Sequence, residues 1–370
     1  MFSSQEILGK KIADRCCRRN LLHSEDIEQI VKECCDDLGM DKPEIIYCET
    51  LTRSLSAFYF RKKPYLIYDS CLLEALYIFD GILLTGQKEQ DLDKLVYKLI
   101  GEELIRNNEL SKCLYFSGKY RRLEYAFDKE ENHDAIVEMM SLQSYFLIGH
   151  ELGHLSVGKS YIAKIPDDYR KFINACIKVL HKNVIKDDCQ KEFIDSHYEY
   201  FMDEYPQNIY DYWKKLWKSK KYEHLIEECY CDWNGVKLLL EHYNNPENSV
   251  RAISVAFKYL IIQEAIRSDI EKHRFFFDDS KHKASRAMYF SVLRMEIILL
   301  TIRINHLGNI ERAFEEMQEK YLLTDCWLNI LKKIPSDSAF ADLTESKLPD
   351  IEQKELVDVL IRTFYYMHVK

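Results

Sequence analysis

The sequence predicts an α+β fold dominated by helices, with one small β-sheet placed early in the chain. Three observations carry that expectation. Glycine and proline are scarce, 11 and 7 residues in 370, against typical usage of roughly 7% and 5%, so turns are few and elements long. Apolar residues recur at helical spacing along most of the chain. Only the stretch from Pro43 to Ser70 carries the short β-branched and aromatic runs that mark strands.

Taken in order, residues 5–39 read as helix, with Gly39 as a stop ahead of Pro43. PEIIYCE and SLSAFYFRKKPYLIYDS then give two or three strands, broken by a basic turn next to Pro64. Beyond residue 70, helical patterns run over 70–79, 91–107, 134–158, 168–183, 221–243, 248–268, 285–306, 309–332 and 351–367. No internal repeat or Ser/Gly linker interrupts them, so divisions fall where the period changes. These give an N-terminal helical segment over 1–42, a core over 43–290 and a C-terminal helical extension over 291–370.

Composition narrows the function classes. With 47% hydrophobic and 31% charged residues the chain is built to fold. A net charge of -9 repels phosphate backbones, which argues against nucleic acid as a partner. The longest stretch without a charged side chain, Met139 to His150, falls well short of the roughly 20 residues of a membrane-spanning helix. The N-terminus mixes charges through its first turns and lacks an apolar signal region, so a cytoplasmic location is expected. The 12 cysteines form no CxxC pair and read as reduced and packed. Cys229 and Cys231 would point about 160° apart on a helix, which disfavours a shared metal. The basic and aromatic run YWKKLWKSKKY (212–222) reads as a solvated helix face.

The chemistry concentrates in SYFLIGHELGHLSVG, which contains His150-Glu151-Leu152-Gly153-His154, an HExxH pattern. Two histidines four apart on a helix lie about 40° apart around its axis, so both imidazoles can reach one tetrahedral Zn²⁺. Glu151 lies beside them, where it can take a proton from zinc-bound water. The surrounding helix is apolar on both sides, so these polar groups would be largely desolvated, a costly arrangement without a partner such as a metal. Val157 and Ser160 stand where the metzincin pattern needs Gly and His, which excludes that solution for the third ligand.

A distant carboxylate is the alternative. In HLIEECYCDWNGVKLLL, Glu228 and Asp232 fall within the apolar stripe Leu225, Cys229, Trp233, Val236, Leu239 and Leu240, whereas Glu227 joins the polar side with Glu223, Asn234, Lys237 and Glu241. This facial argument favours Glu228 as a metal ligand, with His224 as another choice. Asp232 could accept the second N–H of a ligating histidine.

HELGH followed some seventy residues on by Glu228-x-x-x-Asp232 resembles the gluzincin metallopeptidases, especially HtpX and CaaX-protease-type catalytic domains. Pro43–Tyr47, Ser56-Ala57-Phe58 and Pro64–Tyr68 are similar to that family's strand, NAF-like segment and second strand, with Ser56 in place of Asn. The lack of membrane helices is more similar to soluble phage-exclusion (Lit-like) peptidases, whose active-site helix is followed by a Gly-centred turn, as at Gly158 here. The resemblance covers about residues 43–290. It implies a zincin-like core, one Zn²⁺ per chain held by His150, His154 and Glu228, and a polypeptide substrate; the Lit-like side of it implies a dedicated intracellular protease with a narrow target, with general peptide turnover open beside it. It further implies that His282 and Arg286, in SKHKASR, shape the active site as the family's later His and Arg do, although the Pro of that segment is absent and the spacing is shorter. His282, Arg286 or one of the 25 tyrosines could then donate to the oxyanion. A non-catalytic zincin-like binding or sensor module is the alternative expectation.

Overall fold

Near-continuous apolar character makes one helix the centre of the molecule. His133–Val157 buries residues on every side, from Ile136 and Met140 through Phe146 and Ile148 to Leu155, as a helix surrounded by others must. The computed structural model describes residues 24–48, 50–51, 53–84, 89–107, 109–125, 133–158, 165–186, 216, 221–271, 286–304, 356–357, 359–361 and 363–364.

Within these, the chain order is α1 (Ser24–Leu38), β1 (Glu44–Cys48), β2 (Leu55–Phe60), β3 (Lys63–Asp69), α2 (Ser70–Leu84), α3 (Glu89–Arg106), α4 (Leu110–Arg121), the central α5 (His133–Val157), α6 (Asp167–Lys186), α7 (Lys221–His242), α8 (Pro246–Glu271) and α9 (Arg286–Ile304). The predominantly helical α+β class is as the sequence predicts. Helix α4 is the addition, an element that no pattern in the sequence marked. No helix among the described residues is long and apolar enough to cross a membrane. The helix expected over 309–332 lies outside the described residues.

Helix α5 is packed by α1, α2, α7 and α8 and by strand β2. Helix α1 presents Ile27, Ile30, Val31 and Cys34 to this core at spacings of three and four. It stops at Gly39, whose φ of 60° opens the left-handed turn that lets Met40 N–H donate to the Cys35 carbonyl at 3.0 Å. The eight described cysteines are all free and buried, and burial pushes the Cys35 thiol up to about 11, consistent with inert packing.

The sheet has the order β1-β3-β2. Strand β1 runs parallel to β3 with Ile45 opposite Leu66, and β2 runs antiparallel to β3 with Ala57 opposite Leu66. Alternation turns Ile45, Tyr47, Leu55 and Ala57 to the core, together with buried Leu66 and Tyr68. On the other face Phe58 stacks on Tyr65, ring centroids 5.8 Å apart. The loop entering β2 is fixed by Asp69, which accepts from Thr50 N–H at 3.0 Å and from Ser54 N–H at 3.4 Å. It is fixed again by buried Arg53, which pairs with Glu102 of α3. Strand β2 therefore has little freedom to move as an edge.

The β2–β3 hairpin closes through only two residues, Arg61 and Lys62, at φ 48° and 69°. A two-residue turn of this hand needs positive φ at both positions and is ordinarily built from Asn-Gly. Side-chain-bearing residues there cost about 1–2 kcal/mol each.

One buried contact in the core yields a pH-dependent prediction. Gln143 Nε2 donates to Asp80 Oδ1 at 2.8 Å, while Asp80 Oδ2 and Gln143 Oε1 are both buried without a hydrogen-bond partner. Burial holds the Asp80 carboxyl well above its ordinary pKa, and the neutral acid supplies the O–H donor that this pair of oxygens lacks. A carboxyl with a raised folded-state pKa binds more protons folded than unfolded, so stability falls as pH climbs from about 4 through the raised value. Asp80→Asn, which places an amide N–H at that position, should leave stability near pH 4 little changed. At pH 8 it should add about 1–2 kcal/mol, measured by urea unfolding at the two pH values. Equal effects at both would show that Asp80 is ionised in the fold.

Candidate metal centre

Helices α5 and α7 cross closely because glycines strip both of side chains where they meet. A Cβ on Gly149 would lie 2.9 Å from Gly235 Cα, and one on Gly153 would lie 3.0 Å from Cys231 Cα. At Gly235 a Cβ would run into the Phe146 carbonyl and stand 3.1 Å from His150 N. Such an approach lets the carboxylates of Glu227, Glu228 and Asp232 on α7 reach the imidazoles of α5.

His150 and His154 stand edge to face, ring centroids 4.9 Å apart. Their Nε2 atoms converge on one carboxylate, with His150 Nε2 3.7 Å from Glu228 Oε2 and His154 Nε2 3.5 Å from Glu228 Oε1. Their Nδ1 atoms face two others. His150 Nδ1 is 2.8 Å from Asp232 Oδ1, an oblique contact in which the N–H is not well aligned on the oxygen. His154 Nδ1 is 2.9 Å from Glu227 Oε1.

Arg294 of α9 locks the carboxylates from behind. Its Nε and Nη2 grip Asp232 Oδ2 and Oδ1 at 2.9 and 2.7 Å, and Nη1 lies 2.8 Å from Glu228 Oε2. The charges are interdependent. Burial alone would raise the Asp232 carboxyl, but Arg294 and His150 outweigh it and hold the pKa down to about 2. Burial likewise works to raise Glu228, which Arg294 and the two histidines keep below the ordinary carboxylate range. His150 is pulled down by burial and held above its usual value by Asp232.

Glu151 points the other way, towards the sheet. Its Oε2 accepts the backbone N–H of Ala57 at 2.9 Å, so the edge strand β2 is tied to the HExxH helix at this residue. Burial pushes its pKa up, opposed by the two histidines and the Ala57 N–H. Tyr59, one alternation along β2, donates its OH to the Leu155 carbonyl at 3.2 Å and pins the strand a second time.

The donor set fits a zinc-type cation. One atom from each of His150, His154 and Glu228 lies within 4.8 Å of the other two. Donors about 2.0–2.1 Å from a tetrahedral ion sit roughly 3.3 Å apart, close to the two Nε2-to-carboxylate separations of 3.7 and 3.5 Å. Those separations are too long for direct hydrogen bonds. Each histidine also has its second ring nitrogen against a carboxylate, the arrangement that fixes a ligating tautomer.

The structure thus brings His150, Glu151, His154, Glu228 and Asp232 together. His224 stands at the rim, Nδ1 3.7 Å from Glu228 Oε1 and its ring stacked on Phe290. His282 lies outside the described residues. Arg286 is the first residue of α9, and its side chain lies outside the description.

Sequence reasoning missed two participants. Glu227, expected to be merely solvated, is instead the partner of His154, and Asn234, assigned to the same polar side, is buried. Helix α7 buries a wider face than its apolar stripe indicates, because Ile226, Cys231 and Leu238 are buried as well. Arg294 is the second. Its signal is present in the sequence, since a charge between Leu293 and Met295 in the apolar run VLRMEIILL needs a buried partner. Comparison with protein families, characterised proteins and solved structures finds no match to this chain.

Proposed function

We propose that the chain is a zinc-dependent peptidase, with His150, His154 and Glu228 holding the metal and Glu151 moving the proton. The observation that supports this reading best is the convergence of the three donors within 4.8 Å beside a half-buried carboxylate that belongs to the edge strand's hydrogen bonding as much as to the helix. Bound there, Zn²⁺ would supply Lewis acidity, polarising a scissile carbonyl and bringing water to a pKa of about 7.

The remaining work falls to the protein's own groups. Because Oε2 of Glu151 is engaged by Ala57, Oε1 is the oxygen left to accept a proton and return it to a leaving amine. Asp232 and Glu227 hold the two imidazoles in the tautomer that leaves Nε2 free to ligate. Ala57 N–H points away from β3, so by the alternation of an antiparallel ladder the backbone groups of Leu55 and Tyr59 lie along the same outer edge, which no strand among the described residues covers. An extended polypeptide adding as a strand there would run past Glu151.

The test is metal content and turnover together. Wild type purified without chelators should carry close to one zinc per chain and cleave a peptide library in a chelator-sensitive way. Glu228→Ala, which removes one of three protein ligands, should cut zinc affinity at least 10–100-fold. Wild-type protein that takes up no zinc by elemental analysis sinks the reading.

A further inference from the structure

The β2–β3 hairpin combines two features that folding alone does not favour. Arg61 and Lys62 occupy left-handed positions where Asn-Gly would be unstrained. With Lys63 they also crowd three exposed cations into one tight turn of a chain whose net charge is -9, at the expense of mutual repulsion. Among the described residues no ion pair engages Lys62 or Lys63. The guanidinium of Arg61 lies over the Phe60 ring, 5.3 Å from its centroid, an arrangement that rigidifies the turn.

Its position supplies the rest. The turn is the direct continuation of the outer edge of β2, the edge on which Ala57 N–H meets Glu151. At about 3.4 Å per residue, Arg61 stands roughly 14 Å along the strand from Ala57. A polypeptide that adds antiparallel, the slightly more stable pairing, runs from the turn towards Leu55. Its residues ahead of the bond facing Glu151 pass the three cations first.

We propose that the Arg61-Lys62-Lys63 turn selects polypeptides bearing acidic side chains about three to five residues before the bond to be cut. The bond cleavage rests on the peptidase reading above, whereas the selection is a property of binding and can be read without turnover. Strand addition supplies sequence-independent backbone hydrogen bonds, and the turn adds the charge complementarity that discriminates among extended segments.

The experiment uses the full chain with zinc added and fluorescent peptides that differ only in two glutamates or two glutamines, placed three to five residues before or after a central bond. Fluorescence anisotropy measures binding, and mass spectrometry measures cleavage. Wild type should bind the peptide with leading glutamates roughly tenfold more tightly than its glutamine counterpart, with the advantage shrinking as salt rises. The triple variant Arg61→Asn, Lys62→Gly, Lys63→Thr has a turn better suited to its backbone, so its Tm should not fall, and its preference should vanish. Lys63→Glu, which leaves the two turn residues intact, should weaken the preference as well.

Equal binding of acidic and neutral peptides overturns the proposal, as does a preference for trailing glutamates or one that survives in the triple variant. Charge-selective binding without cleavage would refute the peptidase reading and leave the selection standing. Cleavage blind to charge would do the reverse.

Discussion

Glu151→Gln should lower peptide turnover by about 10²–10⁴-fold, the usual worth of a positioned acid–base group, while zinc content stays at the wild-type level. The amide matches the carboxylate in size and keeps an oxygen that can accept from Ala57 N–H, so the tie between α5 and β2 survives. What it cannot do is take up a proton. Glu151 is also not among the three donors that could hold a metal, so metal affinity and chemistry are expected to separate at this residue. Burial reinforces the point: it holds the Glu151 pKa above the ordinary value, closer to the range in which a carboxylate both accepts and returns a proton. The comparison is kcat on one cleaved peptide together with zinc per chain for the two proteins. Full turnover by the variant would remove Glu151 from the chemistry. Loss of zinc together with turnover would make it a structural element of the metal site.

How far the sequence revealed this arrangement depends on the range over which each feature is encoded. The helix over 133–157 is legible because its apolar character is continuous and HExxH sits within it, and Glu228 is legible because four-residue spacing aligns it with Asp232 on one face of α7. Helix α4 is not. In LSKCLYFSGKYR the aromatic residues and Gly118 blur the period, and its buried residues Cys113, Phe116 and Tyr120 make sense only against neighbours distant in sequence, chiefly α3 and, for Tyr120, also Phe364. The strand order β1-β3-β2 is likewise a property of pairing across sequence distance, as is the meeting of Ala57 with Glu151. Glu227 shows the limit of facial reasoning. Two adjacent glutamates differ by about 100° on the helix, yet both are long enough to reach His154, Glu227 at Nδ1 and Glu228 at Nε2, when the helices approach as closely as Gly149 and Gly235 allow.

Arg294→Leu should cost about 3–5 kcal/mol of stability, because it strips the shared cation from two carboxylates that stay buried. Asp232 loses both bonds of a bidentate pair, at 2.9 and 2.7 Å, and Glu228 loses its 2.8 Å contact. Lysine cannot substitute well, since one ammonium does not reproduce a planar fork that serves three oxygens at once. The pH dependence has a definite sign. A carboxyl held down to about 2, as Asp232 is, contributes stability above its unfolded pKa near 4 and loses it as pH falls through the folded value. Without Arg294 that depression goes, so the deficit of the variant should be largest at neutral pH and narrow as pH falls below about 4, where protonation relieves the buried charge. Urea unfolding at pH 7 and at about pH 3 measures both. Zinc offers an independent axis: a cation between His150, His154 and Glu228 would replace part of the charge that Arg294 supplied. Added zinc should therefore raise the Tm of Arg294→Leu more than that of wild type, and a chelator should abolish the difference. If the variant is as stable as wild type without metal, the buried carboxylates have another source of compensation.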